Sequence, residues 1–166
     1  TSLDFNEAEL VGFSISYKEN HGFYCPLGHT SNAKKNLPFD KAINMLRELF
    51  EHKELTVVGQ NFKYDMNVVK KYSINFKTSI EDTMLMSYVL NSGGKHDLGT
   101  LASKFLDHQA ISYEDVVGKG KDQITFSDVD IDKAVTYACE DSDLTLLLYE
   151  KLKSKLMKDK RLYDVY

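Results

Sequence analysis

A chain of 166 residues with 42% apolar side chains fits one domain of ordinary size around one buried core. Twenty-one Lys and Arg against 25 Asp and Glu leave a formal charge of −4, which excludes the strongly basic surface of a simple nucleic-acid clamp or a membrane-binding patch. With 28% charged residues, 9 Gly and 2 Pro, the composition is far from disordered, collagen-like and linker sequences. Cys25 and Cys139 are too few for the disulfide framework of a small secreted protein, so reduced thiols and a cytoplasmic location are expected. The N-terminal stretch has no basic and apolar signal pattern. The longest helix-like apolar run, residues 144–149, is far shorter than the roughly 18 residues of a membrane span, so a soluble domain without membrane association is expected.

In residues 10–17, Val11, Phe13, Ile15 and Tyr17 alternate with smaller side chains at the period of a half-buried strand, and residues 22–27 return as its hairpin partner. Residues 28–37 show no periodicity. Ala42, Leu46, Leu49 and Phe50 then mark a helix that Asp40 would cap. The Thr-Val-Val run within 55–59 predicts a buried strand, after which Gly59 lets the chain turn and Asn61 caps the next helix. That helix is read from Phe62, Met66, Val69 and Tyr72 at helical spacing, with Asp65 in its first turns. A strand end at 79–82 is followed by helices at 83–90 and 98–106, the second capped by Asp97. Residues 107–130 read as irregular. One long helix runs from 131 to about 158, and its lysine-rich end reads as a solvated cationic terminus.

Strands alternating with helices predict an α/β domain built on one mixed β-sheet flanked by helices. The strand candidates begin with an antiparallel hairpin and are few for the helices they must support. The expectation is that a strand preceding Thr1 is missing.

Tyr137 and Asp141 lie four residues apart on the long helix and share a face with Ala134, Ala138, Thr145 and Leu148, which directs the carboxylate toward the core. Burying an unpaired carboxylate costs several kcal/mol, so Asp141 must find a metal, a cation or hydrogen-bond donors. Asp65 has a comparable setting just after a core strand. Two inward carboxylates and a phenol suggest a divalent-metal site. Each also has a plainer reading, Asp65 as a favourable charge at a helix N-terminus and Asp141 as a cap or a lysine's partner.

The runs Gly59-Gln60-Asn61-Phe62-Lys63-Tyr64-Asp65 and Tyr137-Ala138-Cys139-Glu140-Asp141 resemble the second and third motifs of the 3′-5′ exonucleases of the ribonuclease-H-like fold. The subgroup resembled has a tyrosine four residues before its last aspartate, and within it the chain looks like the proofreading domains of bacterial family A DNA polymerases, the DNA polymerase I family. Matches at Ser2-Leu3-Asp4, Leu10-Val11-Gly12, Asp82-Thr83-Met84-Leu85, Ser87-Tyr88, Leu90-Asn91-Ser92, His96-Asp97, Gly118-Lys119-Gly120-Lys121 and Thr125-Phe126 extend the resemblance through nearly the whole chain. It implies an exonuclease domain over residues 1–160, with 161–166 opening the connection to a polymerase domain. The family's first motif, Asp-x-Glu on the central strand, would fall immediately before Thr1. The resemblance thus implies an N-terminally truncated domain, impaired in its activity, with half of its metal site missing.

By this resemblance, Asp141 coordinates the metal that activates the attacking water, Asp65 holds the second metal through water, and Tyr137 orients the nucleophile. Two Mg²⁺ or Mn²⁺ ions would then support in-line hydrolysis of the 3′-terminal phosphodiester of single-stranded or frayed DNA, releasing a 5′-nucleoside monophosphate. Leu3 and Phe126 resemble the family's apolar contacts to terminal bases, which tolerate any sequence. Gln60, Asn61 and Lys95 match strand-contacting positions of that family, in which a bacterial member carries arginine where Lys95 stands, so the lysine gives a point charge in place of a fork. The implied partners are a DNA 3′ end and a covalently linked polymerase domain, in a monomeric, nucleoid-associated protein. Two other functions stay open: a non-catalytic domain that guides DNA for a polymerase, and a ribonuclease D-like exonuclease acting on RNA.

Zinc is not expected. His21, Cys25 and His29 are spaced four apart but read as scattered polar positions of a hairpin. Gly118 to Lys121 lacks the spacings of the nucleotide-binding phosphate loops. Cys139 has no positioned base and reads as a small helix residue.

Overall fold

The computed structural model describes residues 7–166; Leu3, one of the expected base contacts, lies outside the described residues. Strand β1 (Gly12–Lys18) and strand β2 (His21–Pro26) form the antiparallel hairpin, with Ile15 opposite Phe23 and Phe13 opposite Cys25. Helix α1 (Phe39–Phe50) buries Ala42, Ile43, Leu46 and Phe50, and its N-cap position is Pro38, without a side-chain cap. Asp40 therefore does not cap this helix as expected. It sits in the first turn, because Pro38 places the helix start before it.

Strand β3 (Thr56–Gly59), helix α2 (Phe62–Lys70) and strand β4 (Ser79–Asp82) form a βαβ unit in which β3 and β4 pair in parallel, Val57 opposite Ile80 and Gly59 opposite Asp82. Among the described residues the strands form these two pairs, not one continuous mixed sheet as expected. No ladder joins β1 to β3; the long helix α6 (Ile131–Leu156) packs on β1, β2 and β3 and bridges the pairs. The α/β class holds, with small sheets flanked by helices.

Helix α3 (Thr83–Leu90) and helix α4 (Leu98–Leu106) pack on α6. Met86, Leu101, Leu148, Leu152 and Leu156 form a fully enclosed cluster there, each side chain contributing about 1.5–3 kcal/mol by leaving water. A second cluster joins Ile43, Leu46, Phe50, Phe62, Val69 and Ile74, with the rings of Phe50 and Phe76 only 4.8 Å apart. The third, Val116, Val117, Val129 and Ala134, lies under Phe126 and Tyr137.

Residues 107–130 are more ordered than their sequence suggested. Helix α5 (Tyr113–Val117) is stabilised by a capping box between Ser112 and Asp115, and single 3₁₀ turns occupy Gly120–Asp122 and Phe126–Asp128. Helix α6 stops at Leu156, and Asp159 caps a further short helix, α7 (Lys160–Val165). The lysine-rich end is not uniformly solvated either. Lys153 pairs with Glu81 and lies 5.3–5.9 Å from the ring centres of Tyr149, Tyr163 and Tyr166, because α7 folds back over it. Among the described residues, no helix is long and apolar enough to cross a membrane.

Candidate active site

The turn from β3 into α2 delivers Asp65. Gly59 lies against Phe62, where an added Cβ would stand 2.3 Å from the ring, so this strand end tolerates only glycine. Asn61 follows at φ 56° in the left-handed region, and although it occupies the N-cap position its side chain makes no capping bond. The expected capping by Asn61 is thus supplied by another residue. Asp82, at the end of β4, accepts the backbone N–H of Asn61 at 3.2 Å and of Phe62 at 2.8 Å.

Asp65 lines a cleft of about 350 Å³ together with Leu10, Val68, Tyr113, Phe126 and Tyr137. Its carboxyl keeps an open side to solvent, yet protein crowds it enough to push its pKa up to about 6. Desolvation is the main cause; its own backbone N–H opposes the rise and Asp82 adds to it.

Helix α6 supplies the opposite wall. Tyr137 and Asp141 are one turn apart, and the Tyr137 hydroxyl donates to the Asp141 carboxylate. Burial pushes the Asp141 carboxyl up to about 6 against that bond, with Glu140 adding to the rise. Burial first, and then Asp141, drives the Tyr137 phenol well above its ordinary range, so it stays a neutral donor. Three rings meet beside it: Tyr113 stacks on Phe126 at 6.2 Å and 20°, and Tyr137 meets Phe126 edge-on at 6.0 Å.

Sequence reading missed Tyr113, whose only trace was the Ser112-to-Asp115 capping pattern that starts α5. It also passed over Glu140, whose carboxylate accepts from the Ile111 N–H at 2.7 Å and lies 2.9 Å from Nε2 of His108, fixing the loop that leads to Tyr113.

The structure thus brings Asp65, Tyr137 and Phe126 to one cleft, with Asp141 bonded to Tyr137. Gln60, Asn61 and Lys95 lie outside its lining. The Gln60 amide is engaged at both ends, donating to the His96 carbonyl at 2.7 Å and accepting from Thr83 Oγ1 at 2.5 Å. This ties the exposed Lys95 and its loop to the turn before α2.

Among the described residues neither Asp65 nor Asp141 is in an ion pair, and no three His, Cys, Asp or Glu gather closely enough to hold a metal by themselves. Two crowded carboxyls without a cationic partner are nevertheless the hard oxygen donors a divalent cation takes, and such an ion keeps several waters. The donor chemistry fits, and the donor count is partial.

The family model described as 3′-5′ exonuclease matches residues 1–157. The chain belongs to the 3′-5′ exonuclease family. Among curated relatives, a DNA polymerase I from Rhizobium leguminosarum is 42% identical over 94% of the chain and 17% of its own length. A DNA polymerase I from Pseudomonas aeruginosa is 41% identical over 94% of the chain and 18% of its own length. A DNA polymerase of Escherichia phage T5 is 27% identical over 100% of the chain and 20% of its own length. The chain therefore spans less than a fifth of the bacterial relatives it matches. Membership in the exonuclease family makes it a nuclease domain, a hydrolase.

Proposed function

We propose that this exonuclease domain removes the 3′-terminal nucleotide of single-stranded or frayed DNA, as the proofreading part of a DNA polymerase of the DNA polymerase I kind. Residues 1–160 would form the nuclease unit, and 161–166, which include most of α7, would begin the connection to the polymerase domain. The proposed setting is a monomeric, cytoplasmic, nucleoid-associated protein.

The observation that carries this reading is the cleft that joins Asp65 to Tyr137 and its bonded Asp141, with the Tyr113 and Phe126 rings alongside. Asp65 and Asp141 would supply part of the oxygen shells of two Mg²⁺ or Mn²⁺ ions, beside the carboxylates of the family's Asp-x-Glu motif, water and the substrate phosphate. When bound, such a pair supplies an activated water and offsets charge on the attacking and leaving oxygens. Tyr137 keeps its proton and, by donating to Asp141, holds that carboxylate in one orientation. Phe126 offers a face on which a terminal base of any sequence can stack. Asn61 and Lys95 would meet the strand upstream, Lys95 as a point charge toward phosphate, with Gln60, its amide bonded to His96 and Thr83, fixing the turn that presents them.

The test is digestion of 3′-labelled single-stranded DNA and RNA oligonucleotides by the full polypeptide, with Mg²⁺, with Mn²⁺ and in excess EDTA. Metal-dependent release of 5′-nucleoside monophosphates from DNA is expected. Equal digestion in EDTA, or a strong preference for RNA, would overturn the proposal.

A further inference from the structure

We propose that Asp82 is the positioning residue for Asp65, a single buried carboxylate that fixes the helix carrying the metal-binding side chain. The inference rests on the reading of Asp65 given above.

Asp82 is 7% exposed, and its two oxygens collect four backbone N–H groups from two helices. Oδ2 accepts from Phe62 at 2.8 Å; Oδ1 accepts from Asn61 at 3.2 Å, Met84 at 2.8 Å and Leu85 at 3.3 Å. The N-termini of α2 and α3 therefore converge on one group. A helix start leaves its first N–H groups without intrahelical partners, and a local side chain usually takes one of them. In α2 that local side chain, Asn61, makes no capping bond, so the direction of the first turn is set from Asp82, twenty residues further along the chain.

Asp82 is itself held on both sides. Across the parallel pair it faces Gly59, and its own N–H donates to the Tyr166 hydroxyl at 2.8 Å. Asp65 stands one turn beyond Phe62 on the helix so anchored. Movement of that turn carries Asp65 with it relative to Tyr137, which stands on the other wall. Among the described residues, four donors and no acceptor bond to the side chain, which demands a carboxylate. Asparagine has the same shape but would turn an N–H₂ toward backbone N–H groups.

The experiment compares Asp82→Asn with Asp97→Ala in the full polypeptide. Asp97 caps α4, accepting from Thr100 at 2.9 Å, and its loss lowers stability while leaving every hydrogen bond of Asp82 in place. Two readouts are needed at a temperature where circular dichroism shows every protein folded: hydrogen exchange of amides 62–66, and Mn²⁺ binding followed by the electron paramagnetic resonance of the free ion. For Asp82→Asn, exchange at 62–66 should quicken about tenfold, the scale of losing helix-capping bonds, and Mn²⁺ binding should weaken at least severalfold. Asp97→Ala should change neither. Unchanged exchange at 62–66, or faster exchange with Mn²⁺ affinity intact, would overturn the proposal. Absence of Mn²⁺ binding by the wild type would instead count against the metal reading of Asp65, while the exchange comparison would still decide whether Asp82 fixes α2.

Discussion

The Tyr24 hydroxyl stands 2.7 Å from Nε2 of His29, and Nδ1 of the same ring stands 3.2 Å from the Val129 carbonyl. The carbonyl can only accept, so the ring is protonated at Nδ1 and Tyr24 donates to Nε2. Burial raises the Tyr24 phenol and lowers the His29 imidazole, the combination in which both groups stay neutral. Because the folded-state value of His29 lies below its unfolded value near 6.5, the unfolded chain takes up this proton first. Its contribution to stability is complete above about pH 6.5 and is lost as pH falls toward the folded-state value. Ring titration by NMR should place His29 below its ordinary range, and a value at or above about 6.5 would refute the assigned network.

Neutralising Asp141 should separate activity from stability. Asp141→Asn removes a proposed metal ligand, and DNA hydrolysis should fall by at least about a hundredfold, the loss seen when one group stabilising developing charge is removed. In EDTA above pH 6 the same variant should melt at a higher temperature than the wild type. The carboxyl is raised to about 6 in the folded chain, so its charged form opposes folding at higher pH and that penalty fades as pH falls toward the unfolded value near 4. For this partly buried group the gain is on the order of 1 kcal/mol. A lower melting temperature at pH 8 would contradict the crowding described around Asp141.

Tyr113 presents its ring beside Phe126. Tyr113→Leu should raise KM for single-stranded DNA with little change in kcat, by a factor corresponding to about 1–3 kcal/mol if a base stacks there. Tyr113→Phe should restore the wild-type value, since the ring and not the hydroxyl does the stacking. Steady-state digestion of one oligonucleotide by the three proteins is sufficient, and equal KM values would remove Tyr113 from the substrate path.

The Lys153 and Glu81 side chains are 20% and 16% exposed. Lys153→Met should lower stability by about 1–3 kcal/mol, chiefly through the carboxylate left behind, somewhat less than for a fully buried pair. Lys153→Met combined with Glu81→Gln should recover much of that loss. Chemical denaturation of the four proteins of the cycle measures the coupling, and simple additivity would mean the pair is inert.

What could be read in advance, and what could not, follows the range of the interactions. The strand alternation around Phe13 and Ile15, the Thr-Val-Val run before Gly59 and the helical spacing of Phe62, Met66 and Val69 are local patterns, and they placed β1, β3 and α2. Asp65, Tyr137 and Asp141 stand out as candidates because their motifs are short and contiguous, and the fold brings Asp65 and Tyr137 to one cleft. Asp82 gives no local signal of its hold on α2, since that contact joins β4 to a helix start twenty residues earlier. Asn61 is a residue type that caps helices, but it stands at φ 56° with no side-chain capping bond, and the cap comes from Asp82 across the parallel pair. Lys153 looked like one more solvated lysine because nothing nearby in the sequence announces that Glu81 and three tyrosines will surround it. Helix α5 did leave a local trace in Ser112 and Asp115, overlooked because it interrupts a stretch without apolar periodicity.

Gly22 meets helix α6 with no side chain between them; a Cβ there would lie 2.5 Å from the Cβ of Cys139. The hairpin tip consequently behaves as a gauge of clearance, and drift at its neighbours is unequal. Exposed Glu19 and His21 can exchange for most polar residues and Asn20, at φ 59°, for glycine or aspartate, whereas even one methyl group at position 22 would wedge the hairpin off the turn of α6 that leads into Asp141. The most conservative substitution available to that glycine is therefore among the least tolerable in the chain.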